Sequence, residues 1–149
     1  MNEFIVCENY IRVRAAIKKL EVRGAPAIGA AAAFGMVLAA KEAANRPDFI
    51  GTLARMRDDL VSARPTAVNL EWAAKKLFAL AEQRNKEDVV PNKIIPEMEL
   101  MAIHIYEDDI AVNKRMGMYG AAVLPDEAVL LTHCNAGALA TCGWGTALG

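Results

Sequence analysis

The run from Ala25 to Ala40 constrains this chain more than any other stretch. It contains alanine, glycine and a few larger apolar residues, and no charge at all. Alanine is the strongest helix former. Pro26 suits the first helical position, where its missing N–H costs nothing, and Gly24 supplies the turn before it. A helix is therefore predicted from this point to about Asn45. Its alanines, with Gly29 and Gly35, leave almost no bulk on several faces, so another backbone can approach closely. The reading is a central, buried helix. The run is too short and too small-residued for a membrane span.

Further helices are predicted around it. From Ile11 to Leu20 the apolar positions Val13, Ala16, Ile17 and Leu20 recur at helical spacing, with Arg12, Arg14, Lys18 and Lys19 mostly opposite. Asp48 can cap a helix whose apolar face is Ile50, Leu53, Met56, Leu60 and Val61. Arg64-Pro65 ends it, because the residue before a proline is pushed out of the helical region. Thr66 to about Arg84 form the next helix, with Ala67, Leu70, Trp72, Ala74, Leu77 and Phe78 as its apolar positions. Residues 83–93 read as a polar loop. Pro96-Glu97 open a long helix that runs to about Ala122. Phe4-Ile5-Val6-Cys7 reads as a strand end.

The pattern changes at Pro125-Asp126-Glu127. Ala128-Val129-Leu130-Leu131-Thr132 is a continuous apolar run of strand length, the kind that belongs to strands buried on both faces. Gly137 to Thr141 read as the opening of a helix. The fold class is thus mainly α: a helical N-terminal domain over residues 1–124, then the first strand–turn–helix of an α/β domain over 125–149. One strand cannot make a parallel sheet. The chain is accordingly expected to be the front part of a longer protein.

Composition narrows the function classes. Seventeen basic and eighteen acidic residues leave a net charge of −1. Without a basic field, nucleic acid is not expected as a partner. Met1-Asn2-Glu3 lacks the basic start of a signal peptide. Three cysteines, an odd number without framework spacing, fit a reducing compartment. A cytoplasmic protein with no membrane partner is expected.

Three stretches carry chemistry, each where a helix should begin. They are Val22-Arg23-Gly24-Ala25-Pro26-Ala27-Ile28-Gly29, Arg64-Pro65-Thr66-Ala67-Val68-Asn69-Leu70 and Thr132-His133-Cys134-Asn135-Ala136-Gly137. A helix start offers unpaired N–H groups and partial positive charge, so it holds anions. Arg23, with the amides from Gly24 and Ala25 onward, can grip a phosphate through its planar fork; the alternative is an ordinary surface arginine. Arg64 is analogous; its alternative is a helix-end ion pair with Asp58 or Asp59. Cys134 stands at the carboxyl end of the expected strand, where ligands bind in open α/β sheets. A following helix would favour its thiolate; the alternative is a small buried hydrophobe. His133 and Cys134 point to opposite faces of a strand, which argues against a direct pair. Cys142 and His104 read as structural. Together with Cys134 and His133 they match no zinc spacing, and no metal is expected. The cluster Glu107-Asp108-Asp109 reads as a solvated face, unless the long helix borders the site.

On these residues the sequence resembles the methylthioribose-1-phosphate isomerases, which share a superfamily with the regulatory subunits of the translation factor eIF2B. The third matching stretch extends from Leu131 through Thr141 and on through Gly143-Trp144-Gly145-Thr146-Ala147-Leu148-Gly149. The three occur in family order, and the intact Arg-Gly-Ala-Pro-Ala and Cys-Asn-Ala-Gly elements favour the isomerase branch. The resemblance implies a helical N-terminal domain, a Rossmann-like C-terminal domain and a homodimer. It implies conversion of 5-methylthioribose 1-phosphate to 5-methylthioribulose 1-phosphate in methionine salvage, without a cofactor. By motif position, Arg23, Gly24, Ala25 and Arg64 would bind the sugar-phosphate substrate and Cys134 would be catalytic.

The family's β-rich segment before the helical region and its second catalytic residue, an aspartate, have no counterpart in this chain. The isolated chain is therefore expected to be inactive. Two alternatives remain: a non-catalytic, eIF2B-like regulatory protein that binds a sugar phosphate, and an isomerase of another ribose 1-phosphate.

Overall fold

The structure is a computed structural model that describes residues 4–149; Met1-Asn2-Glu3, read above for a leader, lie outside them. Five helices follow in order: α1 (Tyr10–Lys18), α2 (Ala25–Ala43), α3 (Phe49–Val61), α4 (Val68–Lys86) and α5 (Pro91–Ala121). A single 3-10 turn, Ala138–Ala140, comes after them. Among the described residues there is no strand.

The alanine-rich run behaves as its composition dictates. α2 is in contact with each of the other four helices. Ile28, Ala32, Met36, Ala39 and Ala43 are buried along its length. Its glycines set the closest approaches. A methyl group at Gly29 would stand 3.2 Å from Asn69 Cβ and 3.3 Å from the Asn69 carbonyl oxygen on α4. One at Gly35 would meet Val13 of α1 at 3.1 Å and Leu60 of α3 at 3.2 Å. By length and composition alone α2 could cross a membrane, yet 56% of that window is buried inside the protein. Leu53, Leu60, Leu70, Leu77, Ile94 and Met98 close around it, all fully buried. Each such side chain contributes roughly 1.5–3 kcal/mol through removal from water.

The helix ends follow local chemistry. The Asn9 side chain accepts from the Arg12 amide at 2.8 Å to open α1. Leu20, in the left-handed region at φ 61°, closes it; it is half exposed rather than a core position. Asp48 caps α3 as expected, accepting from the Gly51 amide at 2.9 Å. Arg14 ties α1 to α3, donating to the Asp59 carbonyl at 2.9 Å and pairing with its carboxylate at 3.1 Å.

Four expectations are corrected. The polar stretch 83–93 is mostly helical: α4 continues to Lys86 and α5 begins at Pro91. Only residues 87–90 form the turn. It is fixed by Arg84, whose guanidinium forks onto Glu97 at 2.7 and 2.9 Å and onto Glu87 at 2.7 Å. Consequently Pro96 lies inside α5 instead of at its start. Pro96 and Asn92 are both exposed, so the carbonyl that Pro96 cannot serve faces water. Burial of Ile94, Ile95 and Met98 outweighs the missing bond.

The third correction concerns the expected strand at 128–132, which is irregular chain. Val129 and Leu131 are fully exposed. A strand is held by ladder hydrogen bonds to a neighbour, and the described residues present none. The helix expected from Gly137 reduces to the Ala138–Ala140 turn. Fourth, Phe4–Cys7 is also irregular and its apolar side chains are largely exposed.

The close approach at Gly29 gives a measurable expectation. Gly29→Leu should push α4 away from α2 and destabilise the bundle by about 1–3 kcal/mol, as over-packing does. Urea denaturation would show a lower midpoint with an unchanged slope.

Candidate functional site

The N-termini of α2 and α4 lie together. Gly29, in the second turn of α2, abuts Asn69 in the first turn of α4. Gly24, the N-cap of α2, adopts φ 95°, a backbone state that favours glycine. Its lack of a side chain has a second use. A methyl group there would stand 2.3 Å from Ala140 Cα and 2.4 Å from the Ala140 carbonyl oxygen. The C-terminal turn thus rests directly on the start of α2. Two of the three motif stretches meet there through backbone contact, and the packing of Gly29 on Asn69 brings in the third.

The individual site residues stand as follows. Arg23 is exposed and immediately precedes the N-cap. Ala25 is the first residue of α2, with Pro26 second. Arg64 is half-buried in the turn between α3 and α4, where its carbonyl accepts from the Ala67 amide at 3.0 Å. The helix that it precedes starts at Val68, a little later than Thr66. Its suggested partners are engaged elsewhere: Asp59 pairs with Arg14 at 3.1 Å and Asp58 with Arg57 at 2.7 Å. Among the described residues neither the Arg23 nor the Arg64 guanidinium has an ion-pair partner within the chain, so both are free to meet an anion. Cys134 is exposed, in the left-handed region at φ 64°. It is not a buried hydrophobe. Nor does it open an α-helix, since only the short 3-10 turn follows it. The dipole argument for its thiolate therefore has no helix to act through. His133 is exposed beside it.

Next to this junction lies a cleft of about 270 Å³. Pro26, Gly29 and Ala30 of α2 form one wall and Asn69, Trp72 and Lys76 of α4 another. The third wall is α5, with His104, Asp108, Asp109 and Asn113 among its residues. Lys76 Nζ sits 5.1 Å from the Trp72 ring centre, a cation–π distance. His104, Asp108 and Asp109, read above as structural and solvated, thus line this cleft, whereas Arg23, Arg64 and Cys134 do not.

Asp109 has a more specific place. One carboxylate oxygen accepts from the Cys142 amide at 2.7 Å. The other accepts from Asn113 Nδ2 at 2.9 Å. Burial first, then the neighbouring Asp109 charge and its hydrogen bond, push the Cys142 thiol up to about 12. Cys142 is therefore an inert, protonated donor, in keeping with a packing role. The signal for Asp109 was present in the sequence. Met98, Ala102 and Ile105 define the buried stripe of α5, and the same spacing continues into Asp109 and Asn113. Two polar residues on an apolar stripe call for partners. Among the described residues no group of three or more His, Cys, Asp or Glu side chains is gathered to hold a metal ion.

Comparison with known proteins identifies the family and the fold. The chain is 50% identical over 152 residues to a methylthioribose-1-phosphate isomerase of Desulforamulus reducens, covering 99% of this chain and 42% of that protein. It is 48% identical to methylthioribose-1-phosphate isomerase 1 of Pseudothermotoga lettingae, again over 42% of its length. The chain therefore spans about two fifths of the curated relatives it matches. Two solved structures superpose well. The translation initiation factor eIF-2B subunit delta from A. fulgidus gives a TM-score of 0.80 at 41% identity, over 98% of this chain and 42% of that one. The 5-methylthioribose 1-phosphate isomerase from Pyrococcus horikoshii gives 0.79 at 41% identity, over 92% of this chain and 38% of that one. The helical bundle is thus the architecture of the corresponding part of both. The Initiation factor 2 subunit family matches residues 21–144, and the chain belongs to that family.

Proposed function

We propose that this chain supplies the phosphate-binding and cysteine-bearing part of an aldose–ketose isomerase that interconverts 5-methylthioribose 1-phosphate and 5-methylthioribulose 1-phosphate. The observation that carries the reading is the backbone contact of Gly24 with Ala140. It joins the Arg23 motif to the loop of Cys134 in a chain half identical to a named isomerase. In this reading Arg23, the amides at Gly24 and Ala25, and Arg64 hold the phosphate, and Cys134 is catalytic. The complete protein is a cytoplasmic homodimer that uses no cofactor.

The chemistry explains why such a site needs more than phosphate binding. The anomeric carbon of the substrate is locked as a phosphate ester, so the ring cannot open as a free sugar does. A hydrogen must move from C2 to C1 while the ring oxygen leaves and is protonated. That requires one group to handle the hydrogen and one acid, held away from water. Cys134 provides one. The exposure of Cys134 in this chain supports a site that is completed by further residues. The isolated chain is accordingly expected to show no isomerase turnover above background; enzyme-like rates from the purified 149 residues would overturn that expectation.

A second reading has its own support. The solved eIF-2B delta subunit superposes as well as the isomerase does, so the bundle is equally compatible with a non-catalytic regulator that binds a sugar phosphate. Two substitutions, made in a polypeptide of the relatives' full length, separate the readings. Cys134→Ser should lower kcat by about 10²–10⁴-fold, the span of a lost acid–base group, and leave phosphate affinity unchanged. A regulator would bind identically before and after and turn over nothing. Arg64→Ala should weaken sugar 1-phosphate binding about 10- to 100-fold, the worth of a charged hydrogen bond. Calorimetric titration reads this directly, and unchanged affinity would remove Arg64 from the site.

A further inference from the structure

The loop from Ala136 to Thr146 is a small body braced by its own hydrogen bonds. Thr141 is buried, and its hydroxyl accepts from the Gly145 amide at 2.8 Å and the Gly143 amide at 3.3 Å. The Thr146 amide closes the loop on the Ala136 carbonyl at 2.9 Å. Gly143 and Gly145 take φ values of 151° and 99°, which other residues rarely adopt. Among the described residues one hydrogen bond alone joins this body to the helices: the Cys142 amide donating to Asp109 at 2.7 Å. Asp109 is itself held by Asn113, whose amide nitrogen also reaches the Asp109 carbonyl at 2.8 Å. Cys134 lies two positions ahead of the loop's first residue.

We infer that Asp109 is the positioning residue of this site: by holding the Cys142 amide it docks the loop on α5 and thereby sets where Cys134 stands relative to the start of α2. The assignment rests on the isomerase reading given above. Asp109 touches no reacting atom. It acts through the loop, as the steric fit of Gly24 on Ala140 does from the other side. The charged or titratable groups sharing the cleft with Asp109 are Asp108 and His104 on α5 and Lys76 on α4, while α2 presents only Pro26, Gly29 and Ala30.

Hydrogen exchange and iodoacetamide labelling of the purified chain, both read by mass spectrometry, test this. Asp109→Asn keeps the side-chain shape and removes the charge. It should speed exchange of the 136–146 amides about tenfold, the effect of one lost hydrogen bond, with α2 and α4 peptides unchanged. Cys142 should then label at lower pH than in the unaltered chain. Asp109→Glu, which retains the carboxylate, should restore the labelling profile. Unaltered loop exchange and labelling in Asp109→Asn would overturn the inference, as would faster exchange spread evenly through the helices. Failure of a polypeptide of the relatives' full length to bind 5-methylthioribose 1-phosphate would count against the isomerase reading, while the exchange data still decide the role of Asp109.

Discussion

Side-chain volume withheld along α2 sets the position of everything else. Gly35 lets Val13 and Leu60 come within contact from two helices at once, and Gly29 lets the α4 backbone approach at Asn69. A larger residue at either place would force the facing helix outward. The consequence reaches the site, because the Gly29–Asn69 approach also holds two helix N-termini together. In the proposed reading, the phosphate grip at that end would follow from core packing as much as from the arginines. The same economy recurs at Gly24, where a missing side chain makes room for Ala140.

The polar walls around this junction are ordered by pairs. Arg14 spans α1 and α3, and Arg84 spans α4 and the first turns of α5. The Arg84 fork raises its own pKa, chiefly through the hydrogen bond to Glu97. Beside it Glu87 is held below the usual carboxylate range, mainly by the Arg84 hydrogen bond. These pairs are well exposed, so screening by water keeps each modest. Their effect is geometric: they fix the turn at 87–90 and so the direction in which α5 leaves toward the cleft. With the bundle clamped in this way, Arg23 and Arg64 have no ion-pair partner among the described residues.

Much of the bundle was legible from the sequence because its signals are local. The alanine run, Pro26 and the Asp48 cap each act within a turn or two, and α2 and α3 appear where they were expected. What could not be read depends on distant partners. Residues 83–93 look like a loop by polarity, yet the Arg84–Glu97 pair and the burial of Ile94 make most of them helical. The apolar run 128–132 has strand composition, but a strand exists only beside another. For the site, the motifs singled out Arg23, Gly24, Ala25, Arg64 and Cys134 as candidates, whereas the hold of Asp109 on Cys142 spans 33 positions and no spacing rule reaches that far. The polar break in the α5 stripe was the one visible clue.

The burial of α2 also has a cost once the bundle opens. That helix meets the length and hydropathy of a bilayer-crossing segment, and packing by the other four helices buries more than half of it. A polypeptide caught with those helices peeled away presents a greasy rod to any nearby bilayer or detergent micelle. Bared apolar surface of that kind favours association over simple recovery whenever the bundle is loosened.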